Sequence, residues 1–470
     1  MDSSGFRTWN RAELEATGGS TAHEEHSPER AGGALEWVGQ GLFFLALGFL
    51  VFAAGAFVVL NQTFPYQPLS DAYRAAVAYI DKRTMSSDPL TTDQWREART
   101  PALGVTAYEA SRASPGYTLY TSGDGPYARL VTMDGRTLHE WLRPYSTVWN
   151  EQSAIKNPQP DPLIFMSKAE VLPNGDLLAI YEAAGDTPWG YGMVKLDKYS
   201  EVIWSYLEPV HHDFDVAPDG RIFTLTHEFT SEDIKGFVTL GRTRLDDFLV
   251  TLSPDGRELK KISLTHALAQ SRYNGFLHAT PAFSTEDPLH TNAVEYIDKA
   301  KARRFAVGGE GHVIVSFRDI GVLAVIDPET GEVEWATRGP WVGQHDPRVL
   351  DNGDILVFDN FGTFDKGNDS RILAFNPKTM EVTWRYQGDV EHPFASEIRG
   401  SIERLANGNT LITESDGGRL LEVALDGTIA WEYLNPIRSG EANRYIPVVS
   451  GAQRVIPDRL DPAFRDIIER

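Results

Sequence analysis

The chain of 470 residues contains no cysteine. This absence excludes disulfide bonds, thiolate zinc sites and cysteine nucleophiles together, although an oxidising compartment permits disulfides without requiring them. Positive charge is also scarce, with 44 Lys and Arg residues against 66 Asp and Glu residues and a net charge of −22. We therefore expect no nucleic acid partner, because binding to a phosphate backbone needs a field of Lys and Arg side chains.

Long uncharged apolar runs are absent except over residues 37–60, WVGQGLFFLALGFLVFAAGAFVVL. A helix of this length crosses the ~30 Å hydrocarbon core of a bilayer. A cleavable signal peptide would have an apolar core of only ~7–15 residues next to a small-residue cleavage site. The run therefore predicts an uncleaved, single transmembrane anchor. Basic residues lie on both sides of it, so charge alone does not set its orientation.

The anchor divides the chain into segments of different composition. Residues 1–36 are rich in Ser, Gly, Glu and Ala without an apolar period, which predicts a disordered tail. Residues 61–112 are predicted to be a helical stalk or linker, because apolar residues recur at helical spacing over 69–83. Residues 113–470 contain short β-rich runs separated by Asn-Gly and Asp-Gly turns.

Two phrases recur within this last segment. The first is a turn followed by an alternating strand: LPNGDLLAI (172–180), APDGRIFTL (217–225), LDNGDILVF (350–358), LANGNTLIT (405–413) and the looser GGEGHVIVSF (308–317). The second joins a turn to a strand that mostly ends in an aromatic residue: MDGRTLHEW (133–141), LDKYSEVIWSY (196–206), LSPDGRELKKI (252–262), IDPETGEVEWATRG (326–339), FNPKTMEVTWRY (375–386) and ALDGTIAWEY (424–433).

Six copies of the second phrase indicate six units. Trp335 and Trp384 are 49 positions apart and Trp384 and Trp431 are 47 apart, about the length of a four-stranded propeller blade. We therefore predict an all-β, six-bladed β-propeller that follows the membrane helix. A β-sandwich, the structural alternative, gives no reason for this period.

Alignment of the repeats on the glycine of the turn reveals a ring of polar positions. Eight residues before that glycine stand Ser167, His212, His345 and Gly400, and the interrupted unit offers His290 and Asn292 at the start of its strand. Equivalent positions of successive blades surround the propeller axis, so we expect these side chains to converge on one cavity. His212 is preferred to its neighbour His211 on this alignment, and a one-residue slip in register would exchange the two.

A second ring follows seven residues after the same glycine. Its members are Glu182, His227, Arg318, Asn360 and Ser415. The two rings could satisfy one another as a hydrogen-bond network. The combination of three imidazoles, an amide and a guanidinium instead favours binding of a tetrahedral oxyanion such as sulfate or phosphate.

Other chemistries fit the two rings less well. The histidines and aspartates could bind a metal ion, but Arg318 brings a fixed positive charge to the same cavity, so no metal site is assigned. A neutral histidine can act as a nucleophile. No Walker-type glycine loop is present, so we expect neither a nucleotide donor nor any other cofactor.

Several motifs in order resemble the bacterial arylsulfotransferase (aryl-sulfate sulfotransferase) family, whose members are six-bladed propellers. The motifs are HHDF, LHTNAVEY, SFRDIG, QHDPRVLDNGDILVFDN and NGNTLITES…GTIAWEY, within a likeness from about residue 116 to beyond Asn435. The resemblance implies an enzyme that transfers a sulfuryl group from a phenolic sulfate ester to a phenolic or other hydroxyl acceptor. Its small-molecule partners would be the aryl sulfate donor and this acceptor.

The resemblance also implies residue roles. His345 would be the nucleophile that forms a transient sulfohistidine, and Arg318, Asn292, His290 and His212 would hold the sulfuryl oxygens or protonate the leaving phenolate. Weaker candidates for substrate contact are His211, His227, Asn360 and Arg444. The family's export predicts a propeller on the periplasmic or extracytoplasmic side of the inner membrane.

Two other hypotheses stay open at this point. The tryptophan phrases also resemble those of non-catalytic propeller scaffolds, so a membrane-anchored binding protein is the alternative function; a quinoprotein dehydrogenase would need an acidic calcium motif that is not found.

Residues 298–305, DKAKARRF, form a basic insertion. It is either a solvated loop or a device that steers anionic donors into the cavity. The oligomeric state is not predicted.

Overall fold

The computed structural model describes residues 30–61, 63–84, 88–363 and 369–470, and the chain forms two compact units, Met1–Ala78 and Tyr79–Arg470. The predicted disordered tail 1–36 lies outside the described residues as far as residue 29. The first unit contains the helix Arg30–Asn61. Its segment Trp37–Asn61 has a mean hydropathy of 2.7 and is long and apolar enough to cross a membrane. A second helix spans Tyr66–Thr84, where the sequence predicts a helix over 69–83.

The second unit is a six-bladed β-propeller in which each blade is an antiparallel sheet. Blade 1 contains Val449–Val455, Tyr117–Ser122, Tyr127–Thr132 and Thr137–Leu142 in sheet order; blade 2 contains Ile164–Val171, Leu177–Ala183, Gly190–Leu196 and Val202–Tyr206; blade 3 contains Val210–Val216, Ile222–Thr230, Arg244–Leu252 and Glu258–Ser263.

The remaining blades follow the same order. Blade 4 contains Thr291–Tyr296, Val313–Phe317, Val322–Ile326 and Val333–Arg338; blade 5 contains His345–Val349, Ile355–Asp359, Arg371–Phe375 and Val382–Gln387; blade 6 contains Ser401–Arg404, Thr410–Glu414, Arg419–Val423 and Ile429–Leu434. The first strand named in each blade is its inner strand, and the inner strands contact one another around the axis.

The ring is closed by strands from both ends of the unit. Val449–Val455 supplies the inner strand of blade 1, so that blade joins the end of the chain to its beginning. Gly104–Tyr108 adds a fifth strand to blade 6, and Trp95–Glu97 pairs with Tyr445–Pro447. Residues 61–112, which the sequence predicts to be a stalk or linker, thus contribute two strands. Neither of the two repeated phrases occurs there, so the sequence does not predict these strands.

Tryptophans of the second repeated phrase join some of the blades to the next. The indole N–H of Trp141 in blade 1 donates to the Gly175 carbonyl in the turn of blade 2, at 3.1 Å. Trp431 of blade 6 donates in the same way to the Met133 carbonyl of blade 1, at 2.8 Å. Both rings are fully buried, so the period read from the sequence is the period of these contacts between blades.

The other helices are short. They are Leu264–Gln270, Lys299–Ala302 and Pro462–Ile468, with 3-10 turns at Pro89–Thr91, Tyr145–Thr147, Asp161–Leu163, Asn274–Ala279, Ser415–Gly417, Glu441–Asn443 and Pro457–Arg459.

Candidate active site

A cavity of about 870 Å³ lies among the inner strands of the propeller. At the end where these strands begin, which we call the histidine end, it is lined by histidine, arginine, asparagine and tryptophan side chains. Those of the histidine end are Trp189, His212, His290, Asn292, Arg318 and His345. The five residues predicted as catalytic are therefore together in one cavity.

Irregular strand pairing places most of these side chains. In five blades the register of the inner strand shifts near its start, whereas the described residues of blade 6 pair without a shift. A bulge leaves residues unpaired and turns their side chains away from the regular alternation. The positions passed over include His212 and Asp213 in blade 3, Asn292 in blade 4 and Asp346 in blade 5.

The cavity wall also has unusual backbone conformations. Four non-glycine residues that line it have positive φ angles: His212 (59°), His290 (45°), Asp346 (49°) and Arg399 (61°). Left-handed conformations cost L-residues of order 1–3 kcal/mol and persist where the surrounding structure imposes them, frequently at functional sites. Two of the four are histidines predicted as catalytic.

His345 is held in one tautomer. Its Nδ1 atom lies 2.9 Å from the Gly343 carbonyl oxygen and 2.8 Å from Asn360 Oδ1. The Asn360 amide is fixed because its Nδ2 donates to the carbonyls of Ser396 (2.8 Å) and Arg399 (2.7 Å). Nδ1 therefore faces two acceptors and must carry the proton, which leaves a lone pair on Nε2.

The charge state of His345 agrees with this tautomer. Burial, followed by the positive charge of Arg318, lowers the pKa of His345 to about 3. The ring is therefore neutral at physiological pH. A neutral imidazole with a free Nε2 is the form that can attack an electrophile.

His290 has the opposite character. Its Nδ1 lies 2.5 Å from Asp287 Oδ2. Burial alone would lower the pKa of His290, but the Asp287 carboxylate more than offsets it and raises that pKa above its ordinary value. The structure thus places a histidine of raised pKa and a histidine of lowered pKa in the same cavity, a separation typical of an acid and a nucleophile.

Arg318 and Asn292 complete the polar wall near His345. Arg318 Nη1 donates to Asp319 Oδ1 at 2.7 Å, and about a quarter of its side chain is exposed. Asn292 Nδ2 donates to the Gln344 carbonyl at 2.9 Å, and the residue is 4% exposed. Both side chains are fixed by these bonds before any ligand arrives.

His212 belongs to a buried aromatic cluster with His211, His227 and Trp189. The Nδ1 atoms of His211 and His212 are 2.7 Å apart, and Glu182 Oε1 accepts the backbone N–H of His212 at 2.7 Å. Burial lowers the pKa of all three histidines, that of His211 to about 3. His212 lines the cavity, whereas His211 and His227 lie behind it, so the register brings His212 to the cavity wall.

Trp189 was not predicted as a site residue. Its ring stacks on His290 at 5.3 Å between centroids and meets His227 edge-on at 4.7 Å. It lies between the second and third strands of blade 2, outside both repeated phrases, so no period in the sequence marks it. Asp287 and Asp319 were not predicted as site residues either. Asp287 follows an insertion and Asp319 follows the end of a strand, and neither has an equivalent residue in the other repeats.

Three buried side chains behind Trp189 offer metal-ligand atoms. One atom each from His211, His227 and Asp247 lies within 4.8 Å of the others. The two imidazole rings stack with planes only 17° apart and centroids 4.3 Å apart. Lone pairs of imidazole nitrogens lie in the ring plane, so nearly parallel stacked rings do not aim at one shared ion. We assign no metal to this cluster.

Arg444 lies away from the cavity wall. Its guanidinium forms an ion pair with Glu97, and both side chains are more than half exposed. Among the weaker candidates, Asn360 contacts His345 directly, and His211 and His227 pack behind the wall.

Further along the inner strands the cavity becomes acidic; we call this part the carboxylate channel. Its lining includes Glu170, Asp215, Glu295 and Glu403, with Lys168, Lys301 and Arg348. Burial raises the pKa of Glu170 to about 7, with a further contribution from Asp215, and burial raises that of Glu403 to about 7.

The basic insertion 298–305 reaches this channel and not the histidine end. It forms the helix Lys299–Ala302, which follows the last residue of the blade 4 inner strand. Lys301 Nζ lies 2.6 Å from Glu295 Oε1, so its charge is neutralised there. This arrangement removes the basis for steering anions to the catalytic residues with Lys301.

Comparison with solved structures returns other propellers at low similarity. A protein of unknown function from Bacteroides caccae is 14% identical over 72% of this chain and 98% of its own, with a TM-score of 0.45. Streptogramin B lyase is 12% identical over 74% and 88%, with a TM-score of 0.38. Virginiamycin B lyase from Staphylococcus aureus is 11% identical over 74% and 90%, also with a TM-score of 0.38. These similarities carry no argument about function.

Among the comparisons, the one with protein families identifies the family of this chain. No curated protein sequence matches the chain. The family described as arylsulfotransferase (ASST) matches residues 168–436. That match covers more than half of the 470 residues and includes all five residues predicted as catalytic. The chain belongs to the arylsulfotransferase family.

Proposed function

We propose that the protein transfers a sulfuryl group from an aryl sulfate to a hydroxyl acceptor through a sulfohistidine at His345, without a nucleotide donor. The observation that carries this proposal is the pairing in one cavity of a neutral histidine with a free Nε2 and, beside Arg318, a histidine whose pKa the Asp287 carboxylate raises. Family membership supports the reaction class. We further propose that the propeller lies on the extracytoplasmic side of the inner membrane.

In the first half-reaction the lone pair of His345 Nε2 attacks the sulfur of the donor. An N–S bond forms and the S–O bond to the aryl group breaks. The electron pair of that bond goes to the phenolate oxygen, which takes the proton of His290 Nε2–H. The phenol leaves, His345 carries the sulfuryl group, and His290 is neutral.

In the second half-reaction the acceptor hydroxyl replaces the departed phenol. Its oxygen attacks sulfur while its proton passes to the neutral His290. The N–S bond breaks and its electron pair returns to His345 Nε2. Both histidines regain their starting states, so the cycle consumes no proton and the kinetics should be ping-pong.

The remaining residues stabilise and orient the transferred group. Arg318 and the Asn292 amide present donors to the sulfuryl oxygens, while His290 donates to the phenolate oxygen, where negative charge develops as the S–O bond breaks. Asn360 keeps the Nδ1 proton on His345, so the sulfated ring is cationic and a good leaving group. Asp287 holds His290 in its protonated form.

The test is a transfer assay on the full-length protein in detergent, with a chromogenic aryl sulfate, a phenol and no nucleotide. We expect release of the chromogenic phenol to match formation of the new sulfate ester. His345→Ala should lower kcat/KM about 10⁴-fold, whereas His392→Ala, which changes an exposed histidine outside the cavity lining, should leave it unchanged. Equal activity of the two variants would refute the assignment of the nucleophile.

A further inference from the structure

Trp189 covers a face of His290, the histidine that the proposed reaction uses as its acid. The two ring planes are 28° apart and the ring centroids are 5.3 Å apart. A cation within about 6 Å of an indole centroid is attracted by the negative face of the ring, and Trp provides this attraction better than Tyr or Phe. The indole therefore lies where it favours the protonated form of His290.

Backbone and packing contacts hold Trp189 in this place. The Trp189 carbonyl accepts the Ala183 N–H at 2.9 Å, and the indole meets His227 edge-on at 4.7 Å. Gly190 follows so close to blade 3 that a Cβ atom there would stand 2.5 Å from the Val210 carbonyl oxygen. Because position 190 carries no side chain, the loop before it approaches the blade 3 inner strand and brings the indole to the histidines.

The stacked indole leaves the N–H groups of His290 unobstructed. Nδ1 lies 2.5 Å from Asp287 Oδ2, and in the protonated ring both nitrogens carry hydrogen. The indole interacts with the face of the imidazole and not with its edge, so it occupies neither nitrogen. It can therefore favour the cation while Nε2–H stays free to donate to a phenolate oxygen, which a second carboxylate at Nε2 would prevent.

The charges around His290 do not all favour its protonated form. Burial lowers the pKa of His290, the carboxylates of Asp287 and Asp319 raise it, and Arg318 lowers it. An uncharged aromatic face adds to the effect of the carboxylates without a further negative charge, which would weaken the binding of an anionic donor. The titratable and charged groups that interact with His290 are Asp287, Arg318, Asp319, His211, His212, His227, Asp247 and His345.

We propose that Trp189 is a positioning residue of the acid: its indole face stabilises the imidazolium form of His290 through a cation–π contact and leaves Nε2–H free for the substrate. The contact keeps His290 protonated before the phenolate departs, and it makes the neutral ring a stronger base for the proton of the acceptor hydroxyl. This role in catalysis rests on the proposed sulfotransferase function; the coupling between the two rings does not.

Fluorination of the indole tests the coupling without removing the ring. Full-length protein in detergent is made with ¹³C-labelled histidine and, by nonsense suppression, with tryptophans of increasing fluorine content at position 189. The NMR signal of His290 is identified by its loss in His290→Gln. Each fluorine weakens the negative face of the indole with little change in shape, so we expect the titration midpoint of His290 to move stepwise to lower pH.

The matched control is the same fluorotryptophan series at Trp335, whose indole lies outside the cavity lining. We expect this series to leave the midpoint of His290 in place. A midpoint that ignores fluorine content at position 189 would overturn the inference, as would equal movement in both series.

Kinetics test whether the contact matters for the reaction. Trp189→Phe keeps a weaker aromatic face and Trp189→Leu removes it, whereas both keep apolar bulk. With phenyl sulfate near pH 8 we expect kcat/KM to fall about twofold in Trp189→Phe and about fivefold in Trp189→Leu, with the alkaline limb of the pH–rate profile displaced to lower pH. With 4-nitrophenyl sulfate, whose leaving group needs less help from an acid, the losses should be small. Equal losses with both donors and an unmoved limb, as a packing defect would produce, overturn the catalytic role.

The two measurements separate this inference from the sulfotransferase proposal. If the wild type cleaves no aryl sulfate while the His290 midpoint still follows fluorine content, the reaction assignment fails and the coupling stands. If aryl sulfate is cleaved through His345 while the midpoint ignores fluorination, the role of Trp189 fails and the sulfotransferase proposal stands.

Discussion

The two parts of the axial cavity differ in their polar groups although the same inner strands build both. At the histidine end, bulges and left-handed backbone conformations turn His212 and Asn292 towards the axis. A bulge also distorts the inner strand of blade 5 next to His345. Further along, where pairing is regular, Glu170 and Asp215 occupy the wall. A distortion of one or two residues per strand therefore separates a wall of imidazole, amide and guanidinium groups from a wall rich in carboxyl groups.

On the proposed function, this difference lets a protein with a net charge of −22 bind an anionic ester. Arg318 and His290 offer N–H donors next to His345 at the histidine end, whereas the deeper part of the cavity is lined mainly by carboxyl groups. Each prediction below perturbs one side of this contrast, in order of decreasing effect.

Removal of the fixed cation should have the largest effect. Arg318→Met keeps the bulk of the side chain but removes the donors to the sulfuryl oxygens, so kcat/KM for an aryl sulfate should fall about 10²–10³-fold. Arg338→Met, an exposed arginine of the same blade, is the matched control and should leave steady-state kinetics unchanged. A loss below fivefold in Arg318→Met would mean that the histidine end does not owe its anion affinity to this residue.

Loss of the tautomer restraint should come next. Asn360→Ala removes one of the two acceptors of the His345 Nδ1–H and frees the proton to move to Nε2. We expect kcat to fall about tenfold to a hundredfold with little change in KM, because the proton position affects nucleophilicity and not donor binding. A rise in KM at constant kcat would show that Asn360 binds substrate instead.

Sequence reasoning reached the site through the repeat. His212, His345, Arg318 and Asn360 stand at fixed distances from the turn glycines, and a propeller brings such positions to its axis. The bulges could not be predicted, because an extra residue in a strand has no recognisable signature in an alternating pattern of apolar and polar residues. They explain why His212, and not His211, faces the cavity even though His211 pairs with Leu225 as His345 pairs with Phe358.

The fold was predicted where the turn phrases occur and missed where they do not. Six units follow from the period of the tryptophan phrases, and the structure has six blades. Strands Trp95–Glu97 and Gly104–Tyr108 lack such turns and were assigned to a linker. Trp189 and Asp287 belong to connections that occur once, so only three-dimensional packing brings them beside His290.

The acid at the histidine end gives a pH-dependent prediction. Asp287 raises the pKa of His290, so Asp287→Asn should lower that pKa and move the alkaline limb of the pH–rate profile to lower pH. With phenyl sulfate, whose leaving group needs a proton, we expect about a tenfold loss near pH 8. With 4-nitrophenyl sulfate, a better leaving group, the loss should be small. An equal loss of activity with both donors would argue against His290 as the acid.

The carboxylate channel should affect stability more than catalysis. The raised pKa of Glu170, about 7 against an ordinary 4.5, means that the folded state holds a proton that the unfolded state releases in this window. Stability contributed by this group is therefore lost as the pH rises from about 5 to 8. Glu170→Gln should raise Tm by about 2 °C at pH 8 and much less at pH 5, while kcat/KM changes less than about twofold. A large loss of activity would show that the channel takes part in the reaction.

On the proposed mechanism, His345 carries the sulfuryl group between donor and acceptor. Full-length protein is mixed with an aryl sulfate without acceptor, kept at neutral to alkaline pH because an N-sulfuryl bond is acid-labile, and mapped by peptide mass spectrometry. We expect one added SO₃ group on the peptide that contains His345, a matching burst of phenol, and loss of both in His345→Ala. A label on another residue, or steady phenol release from folded protein without any label on His345, would contradict it.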